Sequence, residues 1–125
     1  MGILNFTPDS FSDGGDFYDV ETAIEGVRKM LDEGADIIDI GAESTRPGSI
    51  AISEDEELRR LERIFPILRK EFPKACFSID TYKPAVAEYM IKAGADVLND
   101  VNGAKGSNMA EVAAKYDIPI VIMHN

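Results

Sequence analysis

The triplet Gly-Ala-Asp occurs twice, as Gly34-Ala35-Asp36 and Gly94-Ala95-Asp96, each time between an amphipathic stretch and a short apolar run. A glycine that closes a helix with a strand directly after it is the joint of a βα unit, and its recurrence makes the chain a series of such units. Successive βα units cross over with one hand, so their strands lie parallel in one sheet.

The remaining segments fit the series. Met1 to Asn5 reads as a first strand, followed by a loop from Phe6 to Gly15 (FTPDSFSDGG) rich in turn formers. Asp19 can cap a helix running to about Glu33, with Ala23, Ile24, Val27, Met30 and Leu31 on one face. The stretch Asp36 to Gly48 (DIIDIGAESTRPG) starts as a strand through Ile37, Ile38 and Ile40, then turns into a loop of small, polar and rigid residues. Ser53 and Glu56 form a capping box before a second helix carrying Leu58, Leu61, Phe65, Leu68 and Phe72, which Pro66 should kink or interrupt. Phe77 to Asp80 is the third strand, and Pro84 opens a third helix with Val86, Ala87, Met90 and Ile91 inward. Asp96 to Asp100 is the fourth strand. Asn108 and Glu111 can cap a short helix carrying Met109, Val112, Ala113 and Tyr116, and Ile120 to Met123 is the fifth strand. No linker or low-complexity segment divides residues 1–125, which read as a single domain.

Parallel βα repeats fit either an open doubly wound sheet or part of a (β/α)8 TIM barrel; a full barrel takes about 250 residues. The polar residues arbitrate. Asn5, the loop Glu43 to Arg46, Asp80, Asn99 and His124 fall at or just beyond the C-terminal ends of five successive strands, as a ring around a barrel mouth requires. A glycine-rich first turn, the mark of a doubly wound nucleotide binder, is absent. The expected fold is therefore the first five strands and four helices of a barrel.

Several of these residues carry chemistry. Asp80 reads either as a helix N-cap or as a buried carboxylate accepting paired N–H bonds from the amidine-like edge of a heterocycle. Asn99, which both donates and accepts, reads as a turn cap or as the partner that completes recognition of a 2-amino-pyrimidinone edge. The Asn5 amide oxygen suits a hard cation such as Mg2+, and Asp9 and Asp13 either add charge nearby or cap turns. Arg46 can hold phosphate oxygens or form a surface ion pair. His124, the only histidine, reads as structural rather than as a base, and Met123 packs against whatever fills the mouth.

Charge narrows the partners. With 23 acidic and 13 basic residues the net charge is −10, which opposes binding of nucleic acid or anionic lipid, so an anionic substrate needs a local cation. The acids Glu54 to Glu57 read as a solvated face or helix N-terminus. No apolar run approaches the roughly 20 residues of a membrane span, and the first residues lack a signal-peptide pattern, so a soluble cytoplasmic protein is expected. Cys76, the only cysteine, lies beside Phe77 and reads as a buried thiol.

At these residues the chain resembles the dihydropteroate synthases, of the pterin-binding barrel family. MGILNFTPDSFSDGG and DIIDIGAESTRPG are similar to the family's two long signatures, and SIDTYK, LNDVNGAK and PIVIMHN to its third, fourth and fifth strands with their loops. The resemblance implies condensation of 6-hydroxymethyl-7,8-dihydropterin pyrophosphate with 4-aminobenzoate, releasing pyrophosphate. It implies that Asn5 contacts Mg2+ and pyrophosphate, that Asp80 and Asn99 hold the pterin, and that Met123 lines its pocket. Thr45, Arg46 and Pro47 would belong to one closing loop and Ser10, Phe11 and Asp13 to another. Phe6 and Ala42 depart from the family's usual small β-branched residue and glycine. The family's last three βα units are not among these residues. The expectation is that residues 1–125 alone are inactive or nearly so and self-associate through exposed barrel edges.

Two other readings compete. A pterin-dependent methyltransferase barrel could use similar Asp and Asn positions, but FTPDSFSDGG resembles the synthase loop and a methyl donor has no pyrophosphate to hold. A non-catalytic half-barrel would bind pterin without turnover.

Overall fold

Alternating runs of β-branched residues and helix-period apolar faces fold as the repeat requires. The computed structural model describes residues 2–5, 16–42, 52–100 and 108–122. Among the described residues, strands β1 (Gly2–Asn5), β2 (Ile38–Gly41), β3 (Phe77–Asp80), β4 (Val97–Asp100) and β5 (Ile120–Ile122) alternate with helices α1 (Asp16–Asp32), α2 (Glu54–Glu71), α3 (Pro84–Lys92) and α4 (Met109–Tyr116). All neighbouring strands pair in parallel, and their order in the sheet is their order in the chain. Crossovers of one hand that never reverse direction keep every helix on one face, whereas a doubly wound sheet reverses at a switch point. The architecture is the first part of a (β/α)8 barrel.

The two sheet faces have different chemistry because side chains alternate along each strand. Leu4, Ile38, Ile40, Phe77, Ile79 and Leu98 are buried in one core with Val27, Leu61, Phe65, Leu68, Val86 and Met90 of the helices. Phe65 meets Phe77 edge-on, with ring centroids 5.5 Å apart. The register places Ile3, Asp39, Gly41, Ser78, Asp80, Val97, Asn99 and Val121 on the opposite face. Its outer members are open, Ile3 being 63% and Val121 42% exposed.

This second face is concave. Asn99 on β4 donates from Nδ2 to Asp39 Oδ2 on β2 at 3.1 Å, passing over β3. In a flat sheet, strands two apart are separated by about 9.6 Å. Curling brings alternate strands into one layer, as inside a barrel.

Gly34 and Gly94 terminate α1 and α3 at φ +100° and +115°, the left-handed region that the Gly-Ala-Asp joints predict. Elsewhere the structure corrects details. Helix α1 begins at Asp16, a turn before Asp19, since nothing in Asp16-Phe17-Tyr18 breaks a helix. Helix α2 runs uninterrupted through Pro66. Pro66 is exposed, so the carbonyl it frees can face water, while Leu61, Ile64, Phe65 and Leu68 hold both halves of the helix in the core. Ser53 caps α2 by accepting from Glu56 N, but the Glu56 carboxylate is turned to Arg59. Asn108 occupies the N-cap position of α4 without a side-chain cap bond, because its backbone (φ −100°, ψ 28°) is not extended. Glu57 is not a solvated acid: it is 1% exposed and paired with Lys83. Cys76 is half-buried, and burial together with Asp96 pushes its thiol pKa up against the pull of Arg69, which leaves it a poor nucleophile. No helix among the described residues is long and apolar enough to cross a membrane.

Candidate functional site

One rung runs across the sheet at the last residues of β1, β2 and β3 and the next-to-last residues of β4 and β5. Asn5 pairs with Gly41, Gly41 with Asp80, Asp80 with Asn99, and Asn99 with Val121. The backbone positions of Asn5, Asp80 and Asn99 therefore share a level, with Gly41 of β2 between the first two, and Asp80 and Asn99 lie on one face of the sheet. This is the barrel end where ligands bind.

Local chemistry shows that Asp80 does not cap the helix that follows it. The N-cap of α3 is Lys83 with Pro84 after it, and the turn from strand to helix is closed by Thr81, whose Oγ1 accepts from Lys83 N at 3.2 Å. Asp80 is thus not the N-cap of α3, which removes the capping reading. Thr81 is buried and its N–H donates to the Asn99 carbonyl at 3.2 Å, locking the ends of β3 and β4 together.

Below the rung lies a residue that sequence reasoning passed over. Asp39 is 3% exposed in the middle of β2, and its Oδ1 accepts from Ser78 Oγ at 2.7 Å while its Oδ2 takes the Asn99 amide. Its signal was present: in Ile38-Asp39-Ile40-Gly41, Asp39 is in phase with Gly41 and out of phase with Ile38 and Ile40. Burial pushes the Asp39 carboxyl above its ordinary 3.8, against the two hydrogen bonds that pull it down. A raised native pKa means that the folded state binds this proton more tightly than the unfolded chain does. The resulting stabilisation is full below about 3.8 and is lost as pH rises through the raised value. Urea unfolding at a series of pH values should therefore show Asp39→Asn gaining stability relative to the parent between acid and neutral pH. A pH-independent difference would show that this carboxyl carries no such linkage.

Helix α2 braces the rung from outside. Arg60 Nη1 donates to the carbonyl of Ala42, one residue past β2, at 2.8 Å. Lys83 Nζ, three residues past β3, reaches Glu57 Oε1 at 2.6 Å and lies 4.5 Å from the Tyr82 ring centroid. One turn of α2 thus anchors the chain just beyond two successive strands.

Of the residues singled out from sequence, Asp80 and Asn99 are brought together on adjacent strands, and the backbone of Asn5 lies at the same level with β2 between it and Asp80. Ser10, Phe11, Asp13, Thr45, Arg46, Pro47, Met123, Asp9 and His124 lie outside the described residues. Among the described residues no three His, Cys, Asp or Glu side chains gather as a metal site.

The whole of residues 1–125 matches the pterin binding enzyme family. The dihydropteroate synthase of Clostridium beijerinckii is 55% identical over 126 residues, covering 100% of this chain and 46% of that protein. The crystal structure of FolP (dihydropteroate synthase) from Clostridium difficile in the presence of pteroic acid superposes with a TM-score of 0.94 at 53% identity, covering 100% of this chain and 48% of that one. Xanthomonas albilineans dihydropteroate synthase with 4-aminobenzoic acid gives a TM-score of 0.89 at 43% identity, covering 99% and 45%. The chain spans about half the length of the relatives it matches. With a barrel mouth that sets Asp80 beside Asn99 and a family match along its full length, the chain belongs to the pterin-binding enzymes.

Proposed function

We propose that the complete protein is a dihydropteroate synthase, condensing 6-hydroxymethyl-7,8-dihydropterin pyrophosphate with 4-aminobenzoate to give 7,8-dihydropteroate and pyrophosphate in the cytoplasm. The observation that carries this reading is the Asp80–Asn99 rung, in which an acceptor carboxylate not used as a helix cap adjoins an amide. A 2-amino-pyrimidinone edge offers adjacent N–H donors to such a pair, and bonds to a carboxylate are charge-assisted. Relatives determined with pteroic acid and with 4-aminobenzoic acid support the choice of substrates.

In the reaction the bond between the pterin methylene and the pyrophosphate oxygen breaks. Pyrophosphate leaves with the electron pair, and the electron-rich dihydropterin delocalises the cation. The aminobenzoate amine then attacks the methylene and gives up a proton. Arg46 would stabilise the charge that develops on the departing pyrophosphate. Ser10, Phe11 and Asp13 on one loop and Thr45, Arg46 and Pro47 on the other would close over the aminobenzoate and exclude water, which competes for the cation. Met123 would line the pterin pocket. The position of Asn5 on the mouth rung fits an oxygen ligand for Mg2+, which takes one or two protein oxygens beside water and phosphate, and which would supply charge neutralisation to the leaving group. Residues 1–125 alone would be inactive or nearly so, and the open strand edges at β1 and β5 would make them self-associate.

Calorimetric titration of the complete protein with the pterin pyrophosphate and Mg2+ tests this. Asp80→Ala is expected to weaken binding about 100-fold, the loss of two charge-assisted bonds. Unchanged binding in Asp80→Ala, or methyl transfer in place of condensation, would reject the assignment.

A further inference from the structure

Asp39 is buried on the mouth-facing side of the sheet, yet the proposed reaction gives it no role. It lies on β2 two residues before the rung, about 6.6 Å beneath it along the strand. Both of its oxygens are taken by donors from other strands: Oδ1 by the Ser78 hydroxyl and Oδ2 by the Asn99 amide nitrogen.

An asparagine amide is nearly symmetric in shape but not in chemistry, since one end accepts and the other donates. Turned one way, Asn99 offers a ligand its oxygen; turned the other, it offers the NH2 in that place. A carboxylate accepts hydrogen bonds and does not donate them, so the end of Asn99 that faces Asp39 must be the nitrogen. The oxygen and the second amide hydrogen are then left for a ligand in a fixed order. Ser78 keeps the Asp39 carboxylate from rotating away.

We propose that Asp39 is a positioning residue for heterocycle recognition: by holding the Asn99 nitrogen it fixes which way round the amide meets the ring, and so favours a 2-amino over a 2-oxo pyrimidinone. This rests on the pterin-binding reading above. Replacing Asp39 by Asn keeps the shape and removes the constraint, because an amide at this position can donate to Asn99 as well as accept from it.

The test is isothermal titration of the complete protein with 6-hydroxymethylpterin and with its 2-oxo counterpart. The parent is compared with Asp39→Asn, Ser78→Ala, Asn99→Ala and the Asp39→Asn/Asn99→Ala pair, alongside the KM for 4-aminobenzoate. In Asp39→Asn the 2-amino to 2-oxo affinity ratio should fall about tenfold, the worth of one hydrogen bond, with the aminobenzoate KM unchanged. Ser78→Ala should move the ratio the same way by a smaller factor, and it carries the test if Asp39→Asn does not fold. In the Asn99→Ala background, Asp39→Asn should change the ratio no further. A ratio unchanged in both single variants, or changed equally without Asn99, would overturn the inference while leaving the pterin reading intact. Failure of the parent to bind either ring would overturn both. A direct readout is the Asn99 side-chain amide pair in a 15N-resolved spectrum, whose two proton shifts should move together on Asp39→Asn, whether or not ligand is present. An unmoved pair would count against the positioning role.

Discussion

Replacing Glu57 by alanine is expected to destabilise the fold by about 3 to 5 kcal/mol, the cost of leaving one member of a buried ion pair without its partner. Glu57 is 1% exposed and Lys83 Nζ reaches its Oε1 at 2.6 Å. Lys83 cannot easily escape to water, because it sits at the N-cap of α3 with Pro84 next to it and its ammonium over the Tyr82 ring. A domain is typically stable by only about 5 to 15 kcal/mol, so urea unfolding of Glu57→Ala should show a large drop in the midpoint at an unchanged slope. The double variant Glu57→Leu/Lys83→Met should cost clearly less than Glu57→Ala, because no charge is then stranded. If the double variant were as unstable as the sum of the single ones, the pair would not be coupled and the packing of α2 against the β3–α3 turn would explain the loss.

What the sequence disclosed depended on how local each cause is. The repeat, the helix faces and the glycine stops are written in neighbouring residues, so the βα order and the strand ends could be read directly. The mouth rung followed from them, because Asn5, Asp80 and Asn99 each end an apolar run. Glu57 was invisible for the opposite reason. In the run Glu54-Asp55-Glu56-Glu57 nothing separates the fourth acid from the other three until Lys83, distant in the chain, arrives beside it. Asp39 is similar. An acid inside an isoleucine run makes sense only when β3 brings Ser78 and a curled sheet brings Asn99, and curvature is a property of the whole sheet. The persistence of α2 through Pro66 was also a tertiary matter, since four buried side chains outweigh one missing backbone bond.

The opposite end of the barrel depends on Arg69 in the same non-local way, and its loss is expected to cost about 3 kcal/mol. From the last turn of α2 its Nη2 donates to the carbonyls of Phe72, Pro73 and Ala75 at 3.0, 2.9 and 2.6 Å. Its Nη1 donates to the Gly94 carbonyl at 3.2 Å and to Asp96 Oδ2 at 3.0 Å, and the guanidinium carbon lies 4.7 Å from the Phe77 ring centroid. Asp96 Oδ2 in turn accepts from Phe77 N at 3.0 Å. One planar cation therefore ties the entry to β3 to the joint between α3 and β4, the two strands whose far ends carry Asp80 and Asn99. Arg69→Ala strands carbonyls that water reaches only in part. Arg69→Lys keeps the charge but offers a compact ammonium in place of the fork, so it should recover less than half of the loss. Unfolding free energies of the two variants check this directly. Full recovery by lysine would mean that charge near Asp96 is what matters, and that the span of the guanidinium across five acceptors is not what holds the base of β3 and β4.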